Sequence, residues 1–314
     1  MFHEKSIAYM APSAIAGLCA TEGVVHDGSS PLKNLAMRAA AQVLRLFPGS
    51  AALRLKRDLR DAAWLSDADA VVISYPKSGR TFVRAMLARL YKHRFGIDER
   101  SLLEFRSLAR ASADAPLVLF SHGGDAMRRA DQIHVNRADY RHKKVVLIAR
   151  HPGDIAVSRY HHLKHRSRDA ARQRLANRPL ESFVWTEQGG VPSIVTFLNQ
   201  FAALPGVTVL RYEDFLTQPA GTLRTLAAAI GLTVSEGEIA DAVEFGSLPN
   251  LKKLEREGYF TSSRLRQARK GDEASGKVRK GTSGGYREQL GEEAAARIDA
   301  YLEENLDPRF GYSA

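Results

Sequence analysis

Residues 70–84 place a lysine, a glycine and a threonine where an apolar strand turns into a helix. The segment reads AVVISYPKSGRTFVR. Gly79 lets the backbone turn tightly, and the free N–H groups at the start of the helix converge on one point. Lys77 adds a positive charge near that point, and Thr81 adds a hydroxyl. This arrangement predicts an anion-binding loop.

The loop differs from the nucleoside-triphosphatase loop, whose pattern is G-x-x-x-x-G-K-[ST]. Here Lys77 precedes Gly79, which is the only glycine of the segment. Ordinary ATP or GTP hydrolysis is therefore disfavoured. A small-molecule kinase built on a related nucleotide-binding fold stays open as an alternative.

A second polar motif follows another apolar strand at 144–149. Arg150 lies at the carboxyl end of that strand, where open α/β sheets bind ligands. Asp154 is a cap or a first-turn acid of the next helix, and Ser158 lies one turn further along the same face. Arg150 and Ser158 are thus placed to hold one phosphate together. On spacing alone, a surface arginine and a solvated serine are the simpler interpretation.

A histidine ends a third apolar run. Residues 117–122 read LVLFSH, so His122 falls at the carboxyl end of a strand, beside the anion-binding loop. The pKa of histidine lies near neutral pH, which suits a general base. The alternative is a polar residue that merely begins a loop.

In this order, the first two motifs resemble those of the sulfotransferases that use 3′-phosphoadenosine 5′-phosphosulfate (PAPS). The chain resembles a bacterial-type relative of the cytosolic sulfotransferases. In that family P-K-[SA]-G-T-T-W binds the 5′-phosphosulfate and R-x-x-x-D-x-x-x-S binds the 3′-phosphate. The first motif here has Arg80 and Phe82 where many members have threonine and tryptophan. The second motif is matched in full.

Two further segments are similar to the same family. Residues 210–215 read LRYEDF and resemble its L-x-Y-E-D segment, which implies that Tyr212 lies near the adenine. Residues 279–286 read RKGTSGGY and resemble its R-K-G-x-x-G-[DE]-W loop, with Gly285 and Tyr286 in place of the usual acid and tryptophan. The resemblance implies that this loop closes over the 3′-phosphate through Arg279, Lys280 and Gly281.

The resemblance also implies individual roles. Ser121 and His122 resemble the family's T-H pair, whose histidine is the catalytic base, and Lys77 is placed to stabilise the bridging oxygen as its bond to sulfur breaks. We assign His122, Lys77 and Ser158 as catalytic. Phe245 resembles an adenine-contacting phenylalanine, and a core aromatic is the alternative. The predicted nucleotide-binding residues are Lys77, Ser78, Gly79, Arg80, Thr81, Phe82, Arg150, Ser158, Tyr212, Phe245, Arg279, Lys280 and Gly281.

Apolar strands alternate with helical patterns, which predicts an α/β fold with a central, mainly parallel sheet flanked by helices. We expect an N-terminal helical extension at 1–66 and a sulfotransferase domain at 67–314 that contains a mobile basic lid at 261–287. The predicted strands are 70–74, 117–120, 144–149 and 207–210. The predicted helices are 33–47, 51–65, 81–93, 154–165, 191–203 and 220–230.

The composition of the chain indicates the chemical class of its partner. The 46 basic and 35 acidic residues give a net charge of +11, which favours an anionic ligand. PAPS is the expected co-substrate, with no metal required, and a nucleic acid is the alternative partner.

The only cysteine is Cys19, and no apolar run reaches the length of a membrane span, so we expect a cytoplasmic protein. The acceptor hydroxyl or amine is open: a glycan, a glycolipid or another small molecule. Basic residues at 33–60 suggest peripheral membrane contact, or a solvated helix face.

Overall fold

The structure is a computed structural model that describes residues 50–124, 128–167, 170–265 and 283–312. Internal contacts divide the chain between Ala68 and Asp69. In the first part, helix α1 (Ser50–Asp67) matches the helix predicted at 51–65. The helix predicted at 33–47, and most of the basic segment 33–60, lie outside the described residues.

The second part contains a four-stranded sheet in the order β2-β1-β3-β4, and all its pairings are parallel. Because the strands are parallel, their carboxyl ends meet at one edge of the sheet, and the anion-binding loop, His122, Arg150 and Tyr212 each follow a strand at that edge. The strands are β1 (Ala70–Ser74), β2 (Val118–Ser121), β3 (Lys144–Ala149) and β4 (Thr208–Arg211).

Twelve α-helices are described in this second part. They are α2 (Arg80–Phe95), α3 (Phe105–Ala111), α4 (Pro152–Arg166), α5 (Ala170–Leu175), α6 (Leu180–Phe183), α7 (Val191–Ala202), α8 (Tyr212–Thr217), α9 (Pro219–Ile230), α10 (Glu236–Phe245), α11 (Leu248–Glu257), α12 (Gly285–Leu290) and α13 (Glu292–Asn305). The helices predicted at 81–93, 154–165, 191–203 and 220–230 correspond to α2, α4, α7 and α9.

One face of the sheet forms the main core. Alternate residues of the central strands, such as Val72, Val146 and Ile148, are fully buried against apolar side chains of α2, α9 and α10. The strands are aliphatic on both faces, as expected of a parallel sheet that helices cover. The predicted α/β fold with a parallel sheet is therefore confirmed.

The predicted lid, 261–287, is only partly described, because 266–282 lie outside the described residues. Its two ends are packed: Leu265 is 2% exposed and Tyr286 is 3% exposed. Among the described residues, no helix has both the length and the apolarity needed to cross a bilayer.

Candidate active site

The anion-binding loop lies between β1 and α2 and has an unusual backbone. Lys77 and Gly79 both adopt left-handed conformations, with φ of 84° and 77°. The carbonyl of Gly79 then accepts the N–H groups of Phe82 and Val83 at 2.9 and 3.3 Å, which starts the helix. A left-handed lysine costs on the order of 1–3 kcal/mol, and such strain is concentrated at ligand-binding and active sites.

Gly79 is required for a second reason, which the sequence did not reveal. A Cβ added there would lie 2.2 Å from Cδ2 of Tyr212, far closer than any real contact. The ring of Tyr212 therefore packs directly on the loop backbone. The L-x-Y-E-D segment thus supports the backbone of the loop through Tyr212, in addition to its predicted contact with adenine.

Two hydroxyls beside the loop are buried and unsatisfied. Ser74 and Ser78 are both 0% exposed, and neither Oγ has a hydrogen-bond partner in the described part of the chain. A buried hydroxyl without a partner costs about 1–3 kcal/mol, and such groups in native proteins call for an explanation. Hydroxyls, helix N–H groups and Lys77 make a donor set that fits a phosphosulfate anion.

His122 lies at the end of β2 with both ring nitrogens engaged. Nδ1 donates to the carbonyl oxygen of Ser74 at 2.7 Å, and Nε2 accepts from Nη2 of Arg80 at 2.6 Å. A carbonyl can only accept and a guanidinium can only donate, so these partners fix a neutral ring with its lone pair on Nε2. Burial, then the charge of Arg80, holds the pKa of His122 well below its usual value.

Arg150 joins the two phosphate motifs. Its Nη1 donates to the carbonyl oxygen of Lys77 at 3.1 Å, and its guanidinium stands 4.8 Å from the ring centre of Tyr212. The guanidinium therefore reaches the anion-binding loop itself. The structure brings together Lys77, Gly79, Arg150 and Tyr212, and their binding of a nucleotide stays a prediction.

Comparison with known proteins shows the family of this chain. The family model of the sulfotransferase domain matches residues 67–308. The chain belongs to the sulfotransferase family. It is 27% identical to Cytosolic sulfotransferase 3 of Arabidopsis thaliana over 258 residues, which cover 76% of this chain and 77% of the relative. The crystal structure of mouse sulfotransferase SULT7A1, complexed with PAP, has a TM-score of 0.51 at 16% identity and covers 76% of this chain and 84% of that one. The expected enzyme class, a PAPS-dependent sulfotransferase, is confirmed.

In this sulfotransferase the acid of the second motif has a function that the sequence did not indicate. Asp154 is a first-turn acid of α4, one of the two predicted alternatives, and not its N-cap, since the Nδ1 of His151 accepts the N–H of Gly153 at 3.2 Å. Its carboxylate instead accepts the backbone N–H groups of Gly284 and Tyr286 at 2.9 and 3.1 Å. Asp154 therefore fixes the chain where it leaves the predicted lid.

Tyr286, which stands where the family usually has tryptophan, is well packed in this sulfotransferase. Its ring stacks on His151 with centroids 4.4 Å apart, and its hydroxyl donates to Asp299 at 2.6 Å. A Cβ on Gly153 would lie 2.8 Å from the ring. The smaller aromatic therefore still holds this end of the lid against α4.

The other predicted binding residues are located as follows. Thr81, Phe82 and Ser158 are half-buried, and Ser158 lies one turn beyond Asp154 on α4. Phe245 packs against Tyr259 and Phe260 in a small apolar cluster, so its contact with adenine stays a prediction. The predicted residues Arg279, Lys280 and Gly281 lie outside the described residues. Among the described residues, no group of three or more His, Cys, Asp or Glu is arranged to hold a metal ion.

Proposed function

We propose that this sulfotransferase moves the sulfuryl group of PAPS to an acceptor hydroxyl or amine, with His122 as general base and Lys77 stabilising the leaving phosphate. The observation that carries the proposal is the state of His122. Its Nδ1–H is held by Ser74 at the edge of the anion-binding loop, which leaves Nε2 as the basic nitrogen.

PAPS supplies an activated sulfuryl group and a stable phosphate leaving group. The chain then has to position the reactants and stabilise charge, as in phosphoryl transfer. Helix N–H groups, with Ser78 and Thr81, would bind the 5′-phosphate, and Lys77 would stabilise negative charge on the bridging oxygen. Arg150 and Ser158 would bind the 3′-phosphate.

The remaining predicted contacts complete the nucleotide site. Tyr212 and Phe245 would face the adenine, and the lid would close over the 3′-phosphate through Arg279, Lys280 and Gly281. The attacking acceptor passes its proton to Nε2 of His122 while the Nδ1–H bond to Ser74 steadies the imidazolium. Arg80 must first move away from Nε2, because its hydrogen bond occupies the one lone pair that would accept the proton.

Loss of the Arg150 side chain should weaken nucleotide binding. We expect Arg150→Ala to lower the affinity for PAP by about 10- to 100-fold, as loss of charged hydrogen bonds does. Calorimetric titration with PAP measures this. The exposed Arg141, just before β3, provides the matched control, and Arg141→Ala should bind PAP like the wild type. Equal affinity in the two variants, or no transfer of labelled sulfate from PAPS to any of a broad set of acceptors, would contradict the proposed function.

The pH profile should report the bond between Arg80 and His122. Since the pKa of His122 is lowered, its neutral, basic form persists below pH 6.5, and kcat/KM should stay level there before it falls at more acid pH. Replacing Arg80 by threonine removes the second-largest cause of the lowering, so the acid limb should move to higher pH. The surface variant Arg94→Met should leave the limb in place. An acid limb that is the same in Arg80→Thr and the wild type would show that His122 does not govern the profile.

A further inference from the structure

Two arginines on one face of α2 meet Phe120 in β2 and His122, which directly follows that strand. Arg80 bonds to His122, and the guanidinium of Arg84, one turn later, lies 4.2 Å from the ring centre of Phe120. Side chains four apart on a helix and two apart on a strand share a face. The two guanidinium groups therefore lie in a row beside the nitrogen proposed to accept the proton.

Arg84 is a buried charge without a full set of partners. It is 3% exposed, and its Nε has no hydrogen-bond partner among the residues that the structure describes. Burial lowers the pKa of this guanidinium, and the positive charges of Arg264 and Arg80 lower it further, while the charge of Glu104 raises it. Removing a charge from water without pairing it costs several kcal/mol. Binding of an anion would offset that cost.

Arg264 adds a further positive charge from the segment before the lid. Its backbone N–H donates to Ser262 at 3.3 Å, and the adjacent Leu265 is buried, so its position is fixed. Its side chain is exposed. Its charge acts on both Arg84 and His122, and that of Arg159 on α4 also acts on His122. The carboxylate of Glu104, which acts on Arg84, also accepts the hydroxyl of Ser262 at 2.8 Å.

We infer that the acceptor is an alcohol that carries its own oxyanion group, a carboxylate, sulfate or phosphate ester, and that Arg84, Arg80 and Arg264 bind this group. The inference rests on the proposed function and adds the class of acceptor to it. Guanidinium groups bind such oxyanions with paired hydrogen bonds. An oxyanion would also draw Arg80 away from Nε2 of His122, so binding of the acceptor would free the base.

The chemical step balances with this acceptor. The acceptor oxygen forms a bond to sulfur while the bond from sulfur to the bridging oxygen breaks, and that electron pair leaves on the phosphate of PAP. The acceptor proton goes to Nε2 of His122. The oxyanion group on the acceptor takes no part in bond making, and its role is to bind and to hold Arg80.

Matched pairs of acceptors test the inference. Each pair presents the same hydroxyl with and without the charge, such as methyl glucuronide with its methyl ester, and 4-(hydroxymethyl)benzoate with its methyl ester. We expect kcat/KM for transfer of labelled sulfate from PAPS to be at least about 10-fold higher for the anion, since a charged hydrogen bond discriminates by that factor. Arg84→Met should remove most of this preference through KM, and Arg94→Met on the same helix should keep it.

Arg264→Gln changes an exposed side chain, so it tests the inference even if Arg84→Met does not fold. This variant should reduce the preference for the anionic acceptor severalfold. Calorimetric titration of the PAP-saturated enzyme with each pair gives a second reading that needs no turnover, and the anion should again bind at least about 10-fold more tightly. Equal or better use and binding of the neutral members would overturn the inference and leave the proposed function standing. Failure to bind PAP, with no sulfate transfer to either member, would instead overturn the proposed function.

Discussion

His122→Ala is expected to lower kcat by about 100- to 10,000-fold while the affinity for PAP stays unchanged. A positioned general base contributes about this factor, because the acceptor must lose its proton as it attacks. The hydrogen bond from Nδ1 of His122 to the carbonyl oxygen of Ser74 keeps Nε2 as the basic nitrogen. Among the described residues, His122 forms its side-chain hydrogen bonds with Ser74 and Arg80. Steady-state transfer of labelled sulfate, together with calorimetric titration of PAP, measures the two effects separately.

Two further variants make this result specific. His122→Gln retains a side-chain N–H donor for the carbonyl of Ser74 but supplies no base, so it should be as slow as His122→Ala. His142 is an exposed histidine just before β3, and His142→Ala should retain wild-type turnover. A His122 variant that keeps more than about a tenth of wild-type kcat would rule out its role as the base.

Gly79→Ala should abolish measurable binding of PAP and destabilise the fold. The residue has a φ of 77°, and the new Cβ would lie 2.2 Å from the ring of Tyr212. Either the loop or the tyrosine has to move, and both belong to the proposed nucleotide site. We expect the free energy of unfolding in urea to fall by roughly 3–5 kcal/mol, as for other overpacked and strained positions.

Gly96 separates the two causes of this loss. It ends α2 with a φ of 67°, and an added Cβ there meets nothing within 4 Å. Gly96→Ala should therefore cost only the strain of a left-handed alanine, about 1–2 kcal/mol, and should bind PAP normally. Equal losses of stability in the two variants would mean that the contact between Gly79 and Tyr212 adds nothing.

The fold could be predicted from the sequence because its strands are short, apolar and bounded by polar residues. The strands at 70–74 and 144–149 were placed correctly, while those beginning at 117 and 207 were placed one residue early. In β2 the structure pairs Ser121 with Ile73, which extends the strand past its last apolar residue. Pairing with a neighbouring strand decides such an end, and hydrophobicity gives no sign of it.

The candidate site could be predicted in part, for a similar reason. The anion-binding loop, Arg150 and His122 each follow a strand at the carboxyl edge of the sheet, so their proximity could be inferred from topology. The anchoring of Gly284 and Tyr286 by Asp154 spans more than 100 residues of sequence, with separations of 130 and 132. The burial of Arg84 likewise depends on where β2 meets α2. No local pattern in the chain encodes such contacts.

The bond from Arg150 to the carbonyl of Lys77 has a consequence for how the enzyme assembles. It links residues 73 apart in sequence, across two strands that must already be paired. Contacts of such high order form late, after the entropy of closing the intervening loop has been lost. A nucleotide that needs both residues can bind only the completed sheet, so it should raise the melting temperature of the whole domain by mass action.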